Sequence, residues 1–324
     1  MRNLMMMVLG IIGWGNVVAQ QTPLYSQYMF NKFLVNPAIA GSEGYTAINV
    51  TAREQWLGIS DAPRTHSISY QTRISPKSLL NFLDFSRSSR PTSGTMGNVG
   101  LGAFLYNDHR GLIDQTGLQL TYAYHLEMDE LQLSFGLTTS ITQFKINKNK
   151  INLGENAQDQ LIDNNQLNSI SPDFNFGVYV TSTDYYAGFS VTDIMQSSVK
   201  FENDGMNNYR HLRHYNLMGG YRFQLNKEYA IEPGVQVKTT EQLNAQLDLS
   251  TRMYYRDLYW GGISYRTGGA VIAMFGMRYD RFYFGYAYDY SFNSLQNSSM
   301  GSHELMVTLK LGKVSRKLKW LERF

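Results

Sequence analysis

The sequence predicts an all-β chain: an antiparallel transmembrane β-barrel of the outer-membrane type, with about 14 strands and a short N-terminal hatch-like segment. Three observations carry this expectation. Apolar and polar residues alternate with period two, as in 131–142, where Leu131, Leu133, Phe135, Leu137 and Ile141 share one face and Gln132, Ser134, Thr138, Ser140 and Thr142 the other. The alternating runs reach about ten residues, which suits a membrane strand better than the roughly five or six of an ordinary sheet. Their connections are unequal, tight on one side and long on the other, as in outer-membrane barrels.

Composition agrees. Of 324 residues only 17% are charged and 14% are aromatic, where soluble domains carry about 25% charged residues. The absence of cysteine removes disulfides, thiolate metal sites and cysteine nucleophiles. Mean hydropathy is −0.32, and beyond the first twenty residues no apolar run approaches the ~20 residues of a membrane helix.

The elements follow in order. Residues 1–19 read as a cleaved signal peptide: Arg2 gives the positive start, Leu4 to Trp14 the apolar run, and Val17-Val18-Ala19 the small residues before the cut. Residues 20–43 form an N-terminal segment on the periplasmic side or in the barrel mouth. Residues 44–312 hold the barrel, with strands expected at 44–54, 64–74, 98–107, 115–126, 131–146, 172–182, 185–194, 210–225, 229–239, 242–254, 257–266, 269–279, 282–292 and 302–312. With both termini periplasmic, the turns around EMDE, TSTD, LNKE, YYRD and YDR face inward, and the long loops 147–171, 195–209 and 293–301 face outward. Two features resist the scheme: the long connection 75–97, and Pro233, which lacks a ladder donor and calls for a local break. Aromatics at strand ends, among them Tyr221, Phe223, Tyr254, Tyr255, Tyr259 and Trp260, read as an interfacial girdle. Residues 313–324 form a basic periplasmic tail.

Charge divides along these boundaries. The formal +3 loses Arg2 with the signal, and the tail carries a local +4, so the barrel is about −2. A basic tail rather than a basic face excludes a nucleic-acid-binding protein.

The stretch TPLYSQYMFNKFLVNPAIAGSEGYTAINVTAREQWLGISDAPRTHSISY, from residue 22, resembles the opening of the PorP/SprF family of type IX secretion proteins, outer-membrane barrels of the Bacteroidetes. The shared features are SQYMFN at 26–31, NPAIAGS at 36–42, REQW at 53–56 and APRT at 62–65, with a second block, YNDHRGLIDQTGLQLTYAYHL, at 106–126. The resemblance implies an accessory role in protein secretion and, in some members, gliding motility. Its implied partners are other secretion-system proteins, periplasmic or in the outer membrane, and a secreted cargo protein, with outer-membrane lipid around the barrel. Barrel size supports an accessory role independently. Roughly eight strands are filled by their own side chains and roughly sixteen to eighteen leave a porin channel. About fourteen leave a narrow lumen that a hatch could close, too small for a folded protein. A transport barrel for small or hydrophobic solutes is the alternative reading.

Candidate interaction residues follow from local chemistry. Asn36 and Pro37 favour a turn, Ala38 follows them, and Gly41 permits positive φ, so Tyr25 to Gly41 makes either a hatch or docking element or a structural cap where the chain enters the barrel. Arg53, Gln55 and Trp56 are expected at the first external turn, Trp56 as an interfacial anchor or a cargo contact. Asp108, with His109 and Arg110, is expected in a tight external loop before Gly111. Lys317, Lys319 and Trp320 belong to the tail, read as an amphipathic helix that docks on a partner or membrane, or as a disordered basic end. His211 and His214, at a strand start, would place their rings on opposite faces and bind no metal. His125 is expected on the polar face of its strand. No nucleophile motif, phosphate loop, carboxylate pair or cofactor motif is present, so no catalytic, cofactor or metal role is expected.

Overall fold

The computed structural model describes residues 25–74, 98–128, 130–146, 168–199, 209–242, 245–292 and 299–312. Seven strands form the first half of the barrel: β1 Thr46–Glu54, β2 Arg64–Ile74, β3 Val99–Arg110, β4 Ile113–Glu127, β5 Leu131–Ile146, β6 Asn168–Ser182 and β7 Tyr185–Thr192. The second half begins with β8 His214–Tyr221, prolonged past Arg222 by Phe223–Gln224. It continues with β9 Tyr229–Thr240, β10 Gln246–Tyr255, β11 Tyr259–Arg266, β12 Ala270–Tyr279, β13 Phe282–Ser291 and β14 Ser302–Leu311.

Each strand pairs antiparallel with its chain neighbours, and β1 pairs with β14 from Thr46↔Leu311 to Glu54↔His303, which closes the sheet. Closure is what lipid demands, since an open edge there would leave backbone N–H and C=O groups without partners. The side chains sort by the same alternation. Leu137, Leu217 and Ile263 are 51%, 56% and 64% exposed, while Gln132, Ser134, Ser264 and Glu304 are buried, the reverse of a soluble core. The apolar face meets lipid, and the polar face packs inward.

Most strand ends agree with the sequence reading to within two residues, and the larger shifts include β3, which runs on to Arg110 rather than ending at 107. β6 begins at Asn168 rather than 172, because its ladder to β5 runs on through Pro172↔Ile141 to Asn168↔Lys145. β8 begins at His214 rather than 210, and β10 at Gln246 rather than 242, where its ladder to β9 ends at Lys238↔Gln246. β7 ends at Thr192, two residues short of 194.

Pro233 lies inside β9 opposite Thr251, and the β8–β9 ladder lapses between Gly220↔Gly234 and Phe223↔Ile231. The missing donor thus falls at a local break in the ladder.

The aromatic girdle needs correction. Tyr221, Phe223, Tyr259, Tyr279 and Phe282 are exposed near the tight turns, as an interfacial belt requires. Tyr254 and Trp260 face inward instead, since neighbours in a strand point to opposite sides and only one of each adjacent aromatic pair can meet lipid.

Candidate functional site

Residues 25–43 carry no strand and pack inside the barrel against the inward faces of its strands. They turn twice in short 3-10 helices, Lys32–Leu34 and Pro37–Ile39, the second packing on β4, β5 and β6. Tyr25, Tyr28, Phe33, Ala38 and Ile39 of this segment join Phe104, Tyr179, Met218 and Ile272 of the wall in one buried cluster. Among polar strand faces, these side chains form the apolar centre of the molecule. The Lys32 Nζ lies 3.6 Å from the centroid of the Tyr186 ring.

The start of the segment is held by charge. Arg53, on the inward face of β1, bridges Asp289 of β13 at 2.7 Å and Glu304 of β14 at 3.2 Å, all three nearly inaccessible. Both carboxylates also accept from the segment. Ser26 N–H and Gln27 N–H donate to the two oxygens of Glu304 at 2.7 and 2.9 Å, and the Ser26 hydroxyl donates to Asp289 at 2.6 Å. Arg53 in turn donates to the Ser26 oxygen. A buried carboxylate requires such partners, because an unpaired charge away from water costs several kcal/mol. Arg266 extends the network to Asp248 at 2.9 Å, and Arg252 pairs with Glu232 while donating to the Met29 carbonyl at 3.5 Å.

The middle and end are held by hydrogen bonds and by the absence of side chains. Asn36 accepts from Ala38 N–H at 2.9 Å, capping the second turn, while its amide donates to the carbonyls of Val178 at 2.9 Å and Phe189 at 3.2 Å. The chain comes this close because the wall is glycine there: a Cβ on Gly177 would stand 2.0 Å from Asn36 Oδ1, and one on Gly136 2.3 Å from the Ala38 nitrogen. Ser190 donates to the Val35 carbonyl at 2.6 Å. The His125 ring, fully buried on the inward face of β4, donates from Nε2 to the Ala40 carbonyl at 2.9 Å and accepts at Nδ1 from Ser134 at 2.8 Å. Gly41 sits at φ 70°, its N–H donating to Gln71 at 3.2 Å, and the chain turns from there into β1.

The family model for the type IX secretion system membrane protein PorP/SprF matches residues 17–309 of this chain. The chain belongs to that family. Family and barrel together place it in the outer membrane and associate it with type IX secretion. No curated protein matches the chain. Among solved structures, the Acinetobacter baumannii outer membrane protein Omp33 is 7% identical with a TM-score of 0.45, over 83% of this chain and 98% of its own. The Pseudomonas putida toluene transporter TodX is 9% identical with a TM-score of 0.44, over 86% and 91% respectively. Nothing about function passes from either to this PorP/SprF chain.

The remaining candidate residues of this PorP/SprF protein fall in different places. Arg53 is not in the first external turn: the odd positions of β1 face inward, so it belongs to the wall and to the charge network. Gln55 and Trp56 do lie in the β1–β2 connection, half-buried, with Trp56 N–H donating to Ser302 at 3.2 Å and its φ at 48°. Asp108 is not in a turn either. β3 runs on to Arg110, which places Asp108 inward, accepting from Thr65 and ion-paired with Arg110. His211 and His214 do not point apart: residues 211–213 precede the strand, and both rings approach Asp193, at 3.9 and 3.4 Å. Among the described residues no cluster of histidine and carboxylates is arranged to hold a metal. Lys317, Lys319 and Trp320, like the signal sequence and the 75–97 connection, lie outside the described residues. Asn36, Pro37, Ala38 and Gly41 come together in the inner segment, while Asp289 and Glu304, which hold its start, carry no motif in the sequence.

Proposed function

We propose that this PorP/SprF protein is a non-enzymatic outer-membrane component of the type IX secretion system. In this reading it aids secretion or surface attachment of particular cargo proteins, gliding adhesins among the candidate classes, through protein–protein contacts, and cargo does not pass through its lumen. Residues 25–43 act as the hatch. The observation that supports this is the density of the interior, where the segment occupies the centre of the barrel with its backbone against wall glycines. A conduit for a folded chain needs an open lumen, and about fourteen strands leave little to begin with. The partners are other secretion-system proteins and a secreted cargo, met at the ends of the barrel.

Comparing the secretome of a deletion strain with that of its parent tests the proposal. We expect one or a few secreted proteins to be lost or to fail to attach, with nutrient uptake unchanged. An intact secretome together with a defect in uptake of a small or hydrophobic solute would replace this reading with a transport barrel.

A further inference from the structure

A cavity of about 100 Å³ lies between the inner segment and the wall of β8–β14, at the end of the barrel that carries the tight turns. Its lining places it there: Asp257 is in the β10–β11 turn, Arg278 is at the end of β12, and Lys310 is at the end of β14. Five cationic side chains line it, Lys32, Arg222, Arg252, Arg278 and Lys310, against three carboxylates. Those three are each committed: Asp257 to Arg222 at 2.5 Å, Glu232 to Arg252, and Glu43 to Lys310 at 3.6 Å. Arg278 has no carboxylate partner among the described residues; its Nε donates to the Asp280 carbonyl at 3.1 Å and its guanidinium lies over the Tyr283 ring.

The aromatic groups add to this bias. Arg252 stacks over Phe30 and Arg222 over Tyr254, at 5.0 and 4.8 Å, so these ring faces are already occupied by cations. Arg222 Nε, Arg252 Nε and Trp260 Nε1 are donors without a hydrogen-bond partner buried behind the cavity surface, so they add to its positive bias without themselves reaching into it. An acceptor bearing negative charge completes such a site, and a neutral or cationic group does not.

We infer that this vestibule binds an acidic side chain of an extended peptide from a partner protein, its carboxylate among Arg278, Lys310 and Arg252 and its apolar flank against Trp260 and Phe30. The inference deepens the proposed function and rests on it for the ligand being a peptide. The chain's own tail is no match, since its twelve residues 313–324 carry five basic side chains and one acidic. Because Met29, Phe30 and Lys32 of the inner segment form one wall of the vestibule, a docked peptide touches the segment directly.

The test uses the purified full-length barrel in detergent. A labelled acidic pentapeptide, acetyl-Glu-Glu-Phe-Glu-Glu-amide, is titrated against it by fluorescence polarisation, beside the same peptide with glutamine in place of glutamate. We expect saturable binding of the acidic peptide at least about tenfold tighter than the glutamine form, and about a tenfold loss in the Arg278→Ala, Lys310→Ala double variant, both sites being at the rim of a barrel that stays heat-modifiable. Intrinsic tryptophan emission should respond to the peptide in the parent and not in Trp260→Phe. Equal affinity for the two peptides, or indifference to the double substitution, overturns the inference. Inorganic phosphate competing at the peptide's own concentration also overturns it, by assigning the site to simple anions. A failed titration leaves the secretome outcome standing, and an unaffected secretome leaves a positive titration standing, so the two claims fail separately.

Discussion

At the scale of residues, Arg53 shows how far local reading reaches. A cationic residue in a conspicuous motif is legible, but its partners Asp289 and Glu304 are 236 and 251 positions away, and only barrel closure brings them together. Its removal leaves Glu304 without a cation among the described residues and Asp289 with only Arg266, 3.9 Å away. Arg53→Met is expected to destabilise the barrel by about 3–5 kcal/mol, as a loss of heat-modifiability at lower denaturant or temperature, whereas the double variant Arg53→Met, Glu304→Gln recovers part of that loss. Asn36 is a second case. Its preference for turns is readable in the sequence; its amide bonds to two strand carbonyls are not. Asn36→Ala removes a cap and the two bonds that tie the segment to those carbonyls, which keep their ladder partners. We expect amide hydrogen exchange at 36–42 to quicken by the equivalent of about 1–3 kcal/mol, with the strand amides unchanged.

At the scale of elements, the strands were the legible part because period two survives in sequence wherever one face meets lipid and the other a packed polar interior. The boundaries went astray where another signal interfered. Pro172 reads as a strand start yet lies within β6, and the alternation through 242–245 continues past the end of the ladder. Adjacent aromatics misled for a geometric reason, since Tyr254 and Trp260 must point opposite to Tyr255 and Tyr259. The inner segment was illegible as structure: its helical turns are three residues long, too short to show any period, and the glycines that admit it sit in other strands. The lipid face can be probed directly. Ile263→Arg, at the most exposed position of β11, is expected to cost about 2–4 kcal/mol of folding stability in bilayers, while the inward Ser264→Thr stays within about 1 kcal/mol, both read from urea titrations of folding.

At the scale of the whole molecule, low charge, abundant aromatics and modest hydropathy have one cause: a closed sheet whose outside is apolar and whose inside is a polar network gathered around an apolar segment. The Gly177→Val variant tests that relation, because its side chain occupies the place of Asn36 Oδ1. Displacement of the segment should make 25–43 protease-sensitive in a barrel that remains heat-modifiable. The account stands or falls on whether the lumen is filled. Single-channel recording of the purified full-length protein in planar bilayers measures this most directly. We expect little or no stable conductance from the parent protein, and stepwise conductance once Gly177→Val or deletion of 25–41 removes the segment from its seat. A wide, stable pore in the unmodified protein would contradict the account.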